Sequence, residues 1–231
     1  MAPIPSPRLV LHTSFRSSSS ARLRIALRLK GLTAASGDVE EVYISLIKKE
    51  QNSAEYRAIN PRMSVPVLQD RHADVLFPIT QSVASLEYLE EVFPDRPALL
   101  PPLSDPIARA KVRTLVNLIV ADIQPFTQVR TAAKVTEFGG DSVEWDKHFT
   151  TVGFKAFEET LQRTAGKYCV GDSITLADAC LAPAVWNWEK FGLDLSIYPT
   201  IKRVFDSLSQ ERAVIDSHWK NQPDTPQEFR Q

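Results

Sequence analysis

Four consecutive serines, Ser17 to Ser20, stand between a short apolar run, Leu9-Val10-Leu11, and a helical pattern in which Ala21, Ile25 and Leu29 recur on one stripe. The first turn of a helix leaves backbone N–H groups unpaired and carries partial positive charge. Hydroxyls placed there cap the helix, or they donate to an anion held against it. Where the anion is a thiolate, both effects lower its pKa and create a nucleophile at neutral pH. One serine suffices for a cap; four, with Arg16 immediately before them, exceed that need. On these residues alone, a capped helix start and a thiol-activating one both stand.

Two further stretches bear on the choice. Met63-Ser64-Val65-Pro66-Val67 puts a proline at the start of a strand. Such a proline is an edge or turn residue. With a cis Val65–Pro66 bond, it is instead a turn that presents the Val65 N–H and C=O for pairing with an extended peptide. Ile79-Thr80-Gln81-Ser82 opens another helix, whose N–H groups, Ser82 hydroxyl and Gln81 amide suit a small carboxylate; capping is again the plain alternative. The three together suit a small thiol peptide with free carboxylates, namely glutathione. Other chemistries lack their residues. The eight glycines are scattered and form no phosphate loop, and His12, His72, His148 and His218 form no ligand pair at helical spacing. No serine lies in a G-x-S-x-G elbow, so metal, nucleotide and serine-hydrolase readings have no support.

The elements that must position these residues fall on either side of Pro94 to Pro106, a stretch with five prolines that suits an extended linker. The division expected is residues 1–96, a proline-rich linker at 97–106, and an all-helical domain at 107–231. Before the linker, strands are expected at Leu9 to His12, Val39 to Ile44, Val65 to Gln69 and Val75 to Phe77, the last two joined by a polar turn from Asp70 to Asp74. Helices are expected at Ser18 to Lys30, ending at Gly31, at Ser53 to Ile59 and at Thr80 to Phe93. That order predicts one mixed sheet flanked by helices. After the linker, Val112, Leu115, Ile119 and Ile123 form one helical stripe interrupted at Pro125, where a kink is expected. Phe149, Val152, Phe157 and Leu161 mark a second helix, and a fourth runs from about Thr200 to Leu208 behind Pro199. The third starts at Thr175, where Thr175 and Asp178 read as a capping box behind Ile174; that gives the acid of this near-apolar helix a structural role.

Bulk properties are those of an ordinary globular protein: 231 residues, 43% hydrophobic, 24% charged, net charge −1. The charge gives no electrostatic case for nucleic acid, and Arg22, Arg24, Arg28 and Lys30 read as a solvated helix face with local ion pairs. No apolar stretch is long enough to span a membrane. The N-terminus, with three prolines and no apolar core, is not read as a secretory signal. Cys169 and Cys180, in apolar surroundings, read as reduced core residues, and the cytoplasm is the simplest compartment.

The run Phe15-Arg16-Ser17-Ser18-Ser19-Ser20-Ala21-Arg22-Leu23-Arg24-Ile25-Ala26-Leu27 resembles the signature of zeta-class glutathione transferases. Asn60-Pro61, Val65-Pro66, Ile79 to Ser82, Glu87 to Glu91, Tyr168 to Asp172, Leu176 to Asp178, Tyr198 to Ile201 and the tail Gln222 to Pro226 resemble the same family, so the likeness runs from about Leu9 to Arg230. It implies an α/β thioredoxin-like N-terminal domain, an all-α C-terminal domain and a homodimer. It also implies that glutathione is the cofactor, that Ser17 serves its sulfur, and that Ser18 and Ser19 line the same helix end. Arg16, Gln51, Val65, Pro66, Gln81 and Ser82 are implied as glutathione-binding, with Gln124 and Gln128 supplied by the helical domain. Lys190 is implied to bind an anionic substrate, although a surface lysine is the plain reading of that residue. Three positions depart from the usual pattern. Ser19 stands for cysteine, Ala21 for tryptophan, and Lys190 for an arginine, which keeps the charge but loses the bidentate fork.

The activity implied is the cis-trans isomerisation of maleylacetoacetate to fumarylacetoacetate, in phenylalanine and tyrosine breakdown. The thiolate of glutathione adds to the conjugated double bond, the bond rotates, and the thiolate leaves. Two alternatives stay open at this point: a broader transferase acting on small α-halo acids or other electrophiles, and a non-catalytic binding module of the same fold.

Overall fold

Leu9–Thr13 is buried at every position, and its pairing explains why. This strand, β1, lies inside a four-stranded sheet of order β2-β1-β3-β4. It runs parallel to β2 (Val39–Tyr43) and antiparallel to β3 (Val67–His72), which pairs antiparallel with β4 (Val75–Ile79). The computed structural model describes residues 7–72, 75–190, 192 and 194–230. In register, Leu11 lies opposite Glu41 on one side and Leu68 on the other. The mixed sheet is the expected one, but β3 continues through Asp70, where a turn was expected. Asp70 is fully buried there because its carboxylate accepts from the Arg8 guanidinium at 2.9 and 2.8 Å and from the Tyr88 hydroxyl at 2.7 Å.

Helices α1 (Ser18–Leu29), α2 (Ala54–Ile59) and α3 (Ser82–Val92) complete this part in β-α-β and β-β-α order, the thioredoxin-like arrangement. Helix α1 is buried over eight successive residues, Ser20 to Leu27, which a one-sided surface helix cannot be. It packs against α3 and against α9 (Arg212–Ser217), so the solvated basic face expected of it is corrected. Arg22 and Arg24 are 2% and 1% exposed, and Lys30 is buried beside Glu90 at 2.7 Å. Arg28 pairs with Glu41 of β2 at 3.6 Å, a tie to the sheet and not a pair within the helix.

The chain divides into two compact units, one ending at Ala98 and resuming from Arg212, the other Leu99–Glu211. The division read from sequence is corrected on this point: the last stretch belongs with the sheet, not with the helices of 107–231. In the second unit, α4 (Pro106–Asn117) is capped by Asp105 and continues into a π-helical stretch, Leu118–Ile123. Then come α5 (Val129–Glu137), α6 (Ser142–Leu161), α7 (Leu176–Lys190) and α8 (Pro199–Leu208). Helix α5 was not foreseen; it packs on α6 with none of its residues fully buried. The break expected at Pro125 is there: the π-helical stretch ends at Ile123 and residues 124–128 form the turn before α5. Gly153 of α6 faces that stretch, and a Cβ there would sit 2.1 Å from Ile123 Cγ1. The proline-rich stretch is anchored, with Leu99 and Leu100 buried and the Leu99 C=O accepting from Leu176 N–H at 2.9 Å. The capping box forms: buried Asp178 accepts from Thr175 N–H at 2.8 Å, Thr175 Oγ1 at 2.9 Å and Cys169 N–H at 2.9 Å. Among the described residues no helix is long and apolar enough to cross a membrane.

Candidate active site

Ser17 is the N-cap of α1, in extended conformation, and its Oγ accepts from the Ser20 N–H at 3.1 Å. The two readings of the serine run meet in this one group. A hydroxyl accepts through its lone pairs and donates through its hydrogen. The cap uses a lone pair, and among the described residues the Ser17 hydrogen goes to no acceptor. It remains available to an anion at the helix start, where the backbone N–H groups and partial positive charge also act. Ser18 and Ser19 form the first turn and are half-buried, while Ser20 is fully buried with an Oγ that has no hydrogen-bond partner.

The Val65–Pro66 bond is cis. Val65 is half-buried, and neither its N–H nor its C=O pairs with a described residue, whereas the ladder resumes at Val67. The turn ahead of it is organised by Asn60, part of the family resemblance in sequence but assigned no role in this turn. Asn60 is 1% exposed; its Nδ2 donates to Ser64 O at 2.6 Å and its Oδ1 accepts from Arg62 N–H at 3.0 Å. Tyr56 adds its hydroxyl to the same Ser64 carbonyl at 3.0 Å. Gln51, in the short 3₁₀ turn Glu50–Asn52, holds its Oε1 buried and without a partner among the described residues.

Helix α3 begins at Ser82, with exposed Gln81 in extended conformation at its N-cap and no side-chain cap bond. Ser82 is 8% exposed, and its Oγ accepts from the Arg22 Nη1 at 3.3 Å. A guanidinium can only donate, so this contact turns the Ser82 hydrogen elsewhere and leaves it for an acceptor such as a carboxylate. Arg22 thus ties α1 to the start of α3. Sequence reasoning missed this role because a charged residue on a helix reads as solvent-facing.

Arg16 is exposed, with its guanidinium 5.4 Å from the Phe229 ring centre. Arg24 donates to Thr13 Oγ1 at 2.8 Å, Ser14 O at 3.1 Å and Ser217 O at 3.2 Å, and burial pushes its pKa down to about 10, so it stays charged at neutral pH. Ser17, Gln51, Val65, Pro66, Gln81 and Ser82 all belong to the unit that holds the sheet. Gln124 and Gln128 belong to the other unit. They flank a turn in which the Phe126 ring stacks on Phe149 at 4.5 Å and the Phe126 C=O accepts from Trp145 Nε1 at 3.0 Å. Lys190 is the last residue of α7, and its side chain lies outside the described residues.

Comparison with known proteins agrees with this geometry. Residues 16–92 match the glutathione S-transferase N-terminal domain, and residues 133–211 match the glutathione S-transferase C-terminal domain. The maleylacetoacetate isomerase of Emericella nidulans is 49% identical over 227 residues, covering 96% of both chains. The crystal structure of maleylacetoacetate isomerase from Anaeromyxobacter dehalogenans, with GSH in its active site, superposes with a TM-score of 0.84 at 37% identity, covering 94% of this chain and 98% of that one. The same bacterial protein has been solved with dicarboxyethyl glutathione and citrate in the active site, at a TM-score of 0.83 and 36% identity, covering 94% of this chain and 97% of that one. A bacterial zeta-class glutathione S-transferase, a maleyl pyruvate isomerase, gives a TM-score of 0.83 at 34% identity, over 94% of this chain and all of that one. The chain belongs to the glutathione S-transferase family and, within it, to the zeta class of maleylacetoacetate isomerases.

Proposed function

We propose that this protein isomerises maleylacetoacetate to fumarylacetoacetate with glutathione as cofactor. One observation carries the reading. At the start of α1 the Ser17 oxygen is committed as an acceptor to Ser20 N–H while its hydrogen has no acceptor among the described residues. A thiolate completes that arrangement. The remaining residues fit the tripeptide by their unmet hydrogen-bonding capacity among the described residues: the adjacent N–H and C=O of Val65, the buried Gln51 Oε1, and the Ser82 hydrogen turned outward by Arg22.

When bound, glutathione supplies a thiol whose anion adds to the conjugated cis double bond and departs after rotation, so that it is regenerated. Ser17 donates to the sulfur and, with the start of α1, holds it ionised. Ser18 and Ser19 shape that helix end. Val65, next to Pro66, pairs with the peptide backbone, and Gln81 and Ser82 hold a terminal carboxylate. Arg16, Gln51, Gln124 and Gln128 complete the assigned contacts. Lys190 attracts the anionic substrate, and Lys190→Ala is expected to raise KM for a carboxylate-bearing electrophile while leaving glutathione affinity unchanged. An unchanged KM ends that role. The dicarboxyethyl glutathione held by the relative supports a family site that accepts a glutathione thioether bearing two carboxylates.

The deciding experiment assays purified protein on maleylacetoacetate with and without glutathione, beside dichloroacetate and a chloronitrobenzene. Turnover of the first with no net loss of glutathione is expected. Turnover of the other two alone makes the protein a general transferase, and glutathione binding with no turnover makes it a binding module. The working form is taken to be a cytoplasmic homodimer. Exposed Phe77 and Val75 on the β4 edge and free, buried Cys169 and Cys180 are consistent with that form. Sedimentation and cell fractionation test it.

A further inference from the structure

The approach of the chain to the helix that Ser17 caps, residues Ser14 to Arg16, sets the direction of the hydroxyl, and within that helix Arg24 reaches it, at Ser14 O. The turn closes on itself only through Ser17 N–H to Ser14 O at 3.1 Å. Besides Arg24 of α1, it has ties from the far end of the chain. Asp224, 209 residues away, accepts the Phe15 N–H on Oδ2 at 2.8 Å. The Phe15 ring, 5% exposed, lies 5.9 Å from the Phe229 ring, and the Arg16 guanidinium covers the same ring. Arg24 donates to Ser14 O and, with its other nitrogen, to Ser217 O, joining the turn to α9. The C-terminal stretch is itself knotted: Gln222, 1% exposed, donates to Asp216 O and His218 O at 2.8 Å each, and Arg230 donates to Thr225 O, Gln222 O and Pro223 O. Each residue of the turn before Ser17 therefore has a contact beyond the turn: Ser14 with Arg24, Phe15 with Asp224 and Arg16 with the Phe229 ring.

We infer that Asp224 is a positioning residue for the reaction, acting through the Phe15 N–H to aim the Ser17 hydroxyl at the sulfur. This rests on the glutathione reading above. An anchored tail could serve stability alone, but two features point further. The bond goes to the backbone of the turn that precedes the reacting group, and it uses one carboxylate oxygen only, Oδ1 being buried with no hydrogen-bond partner. Burial raises the Asp224 pKa, against the Phe15 N–H and the charge of Arg24, which lower it. A carboxamide has the same shape and the same acceptor, so asparagine there keeps the function.

The test is a double-variant cycle in the full chain. In the parent, Asp224→Ala is expected to raise the pKa of bound glutathione, followed by thiolate absorbance, by about half to one unit, and to lower kcat about threefold, with KM and glutathione affinity within about twofold. Asp224→Asn should restore the titration. In a Ser17→Ala background, Asp224→Ala should change neither the titration nor kcat, because the group it aims is gone. An equal loss in that background, a titration superimposable on the parent's, or Asp224→Asn as impaired as Asp224→Ala would each overturn the inference. If Asp224→Ala does not fold, Phe229→Leu takes its place and must raise the thiol pKa in the parent but not in Ser17→Ala; an unchanged titration overturns it equally. A parent that binds no glutathione ends the functional reading itself, whereas normal parental titration with insensitive variants ends only this inference.

Discussion

Ser17→Ala and Ser17→Gly separate the two jobs given to one oxygen. Its acceptor job is visible as the 3.1 Å bond from Ser20 N–H. Alanine at an N-cap costs about 1 kcal/mol and glycine only a few tenths, so the alanine variant should melt about 2–4 °C lower and the glycine variant close to the parent. The donor job predicts something different. A hydrogen bond to a charged acceptor contributes about 1.5–3 kcal/mol, which is about one to two pKa units. Both variants should therefore titrate bound glutathione about one to two units above the parent, moving it back towards the free-thiol value of about 8.5. A more basic thiolate is also a better nucleophile, which offsets roughly half of the loss in logarithmic terms, so turnover at neutral pH should fall about three- to tenfold from ionisation alone. Glutathione affinity should persist through Val65, Gln81 and Ser82. Thiolate absorbance against pH, glutathione calorimetry and thermal melts together read out all three effects. Superimposable titrations of parent, alanine and glycine variants would refute the reasoning: Ser17 would then only cap the helix.

Three further outcomes follow from the packing. Asp178→Ala orphans the Cys169 and Thr175 N–H groups in a fully buried place, and at about 1–3 kcal/mol per lost partner it should cost about 3–5 kcal/mol in chemical denaturation; a loss under about 1 kcal/mol contradicts the role of the box. Gly153→Ala gains about 1 kcal/mol of helix propensity but drives a methyl into Ile123, so a net destabilisation of about 1–2 kcal/mol is expected, and a stabilised variant would show that the π-helical stretch yields easily. His218 has its pKa pushed down to about 4, first by burial and then by the charges of Lys220 and Arg24, while its Nδ1 accepts the Lys220 N–H at 3.2 Å. The unfolded chain takes up this proton near 6.5 and the folded chain only near 4, so stability falls as pH drops through that window. His218→Asn should flatten that part of the profile relative to the parent, and parallel profiles would refute it.

What the sequence disclosed and what it hid divide by the range of the forces involved. Strand β1, the starts of α1 and α3, and the Thr175–Asp178 box were legible because alternation, helical spacing and caps act over a few residues. The same locality left Ser17 ambiguous, since a capping serine and a thiol-activating one occupy the same position in the same helix turn. Only the donor and acceptor assignment separates them, and that needs Ser20 N–H placed against the Oγ. Arg22 and Arg24 misled because charge on a helix ordinarily faces water. Here α1 is enclosed between α3 and α9, and each guanidinium finds its acceptors across the fold, Ser82 in one case and Ser217, 193 residues away, in the other. The tail misled for the same reason: its prolines and polar residues read as the end of the helical domain, while its contacts run to Phe15 and Arg16. The local pattern therefore points to the hydroxyl, and the long-range ties hold the turn that precedes it. By this logic Arg22, Arg24 and Asp224 lie inside stretches whose local pattern was legible, while the partners that give each its contacts, Ser82, Ser217 and the Phe15 N–H, were not.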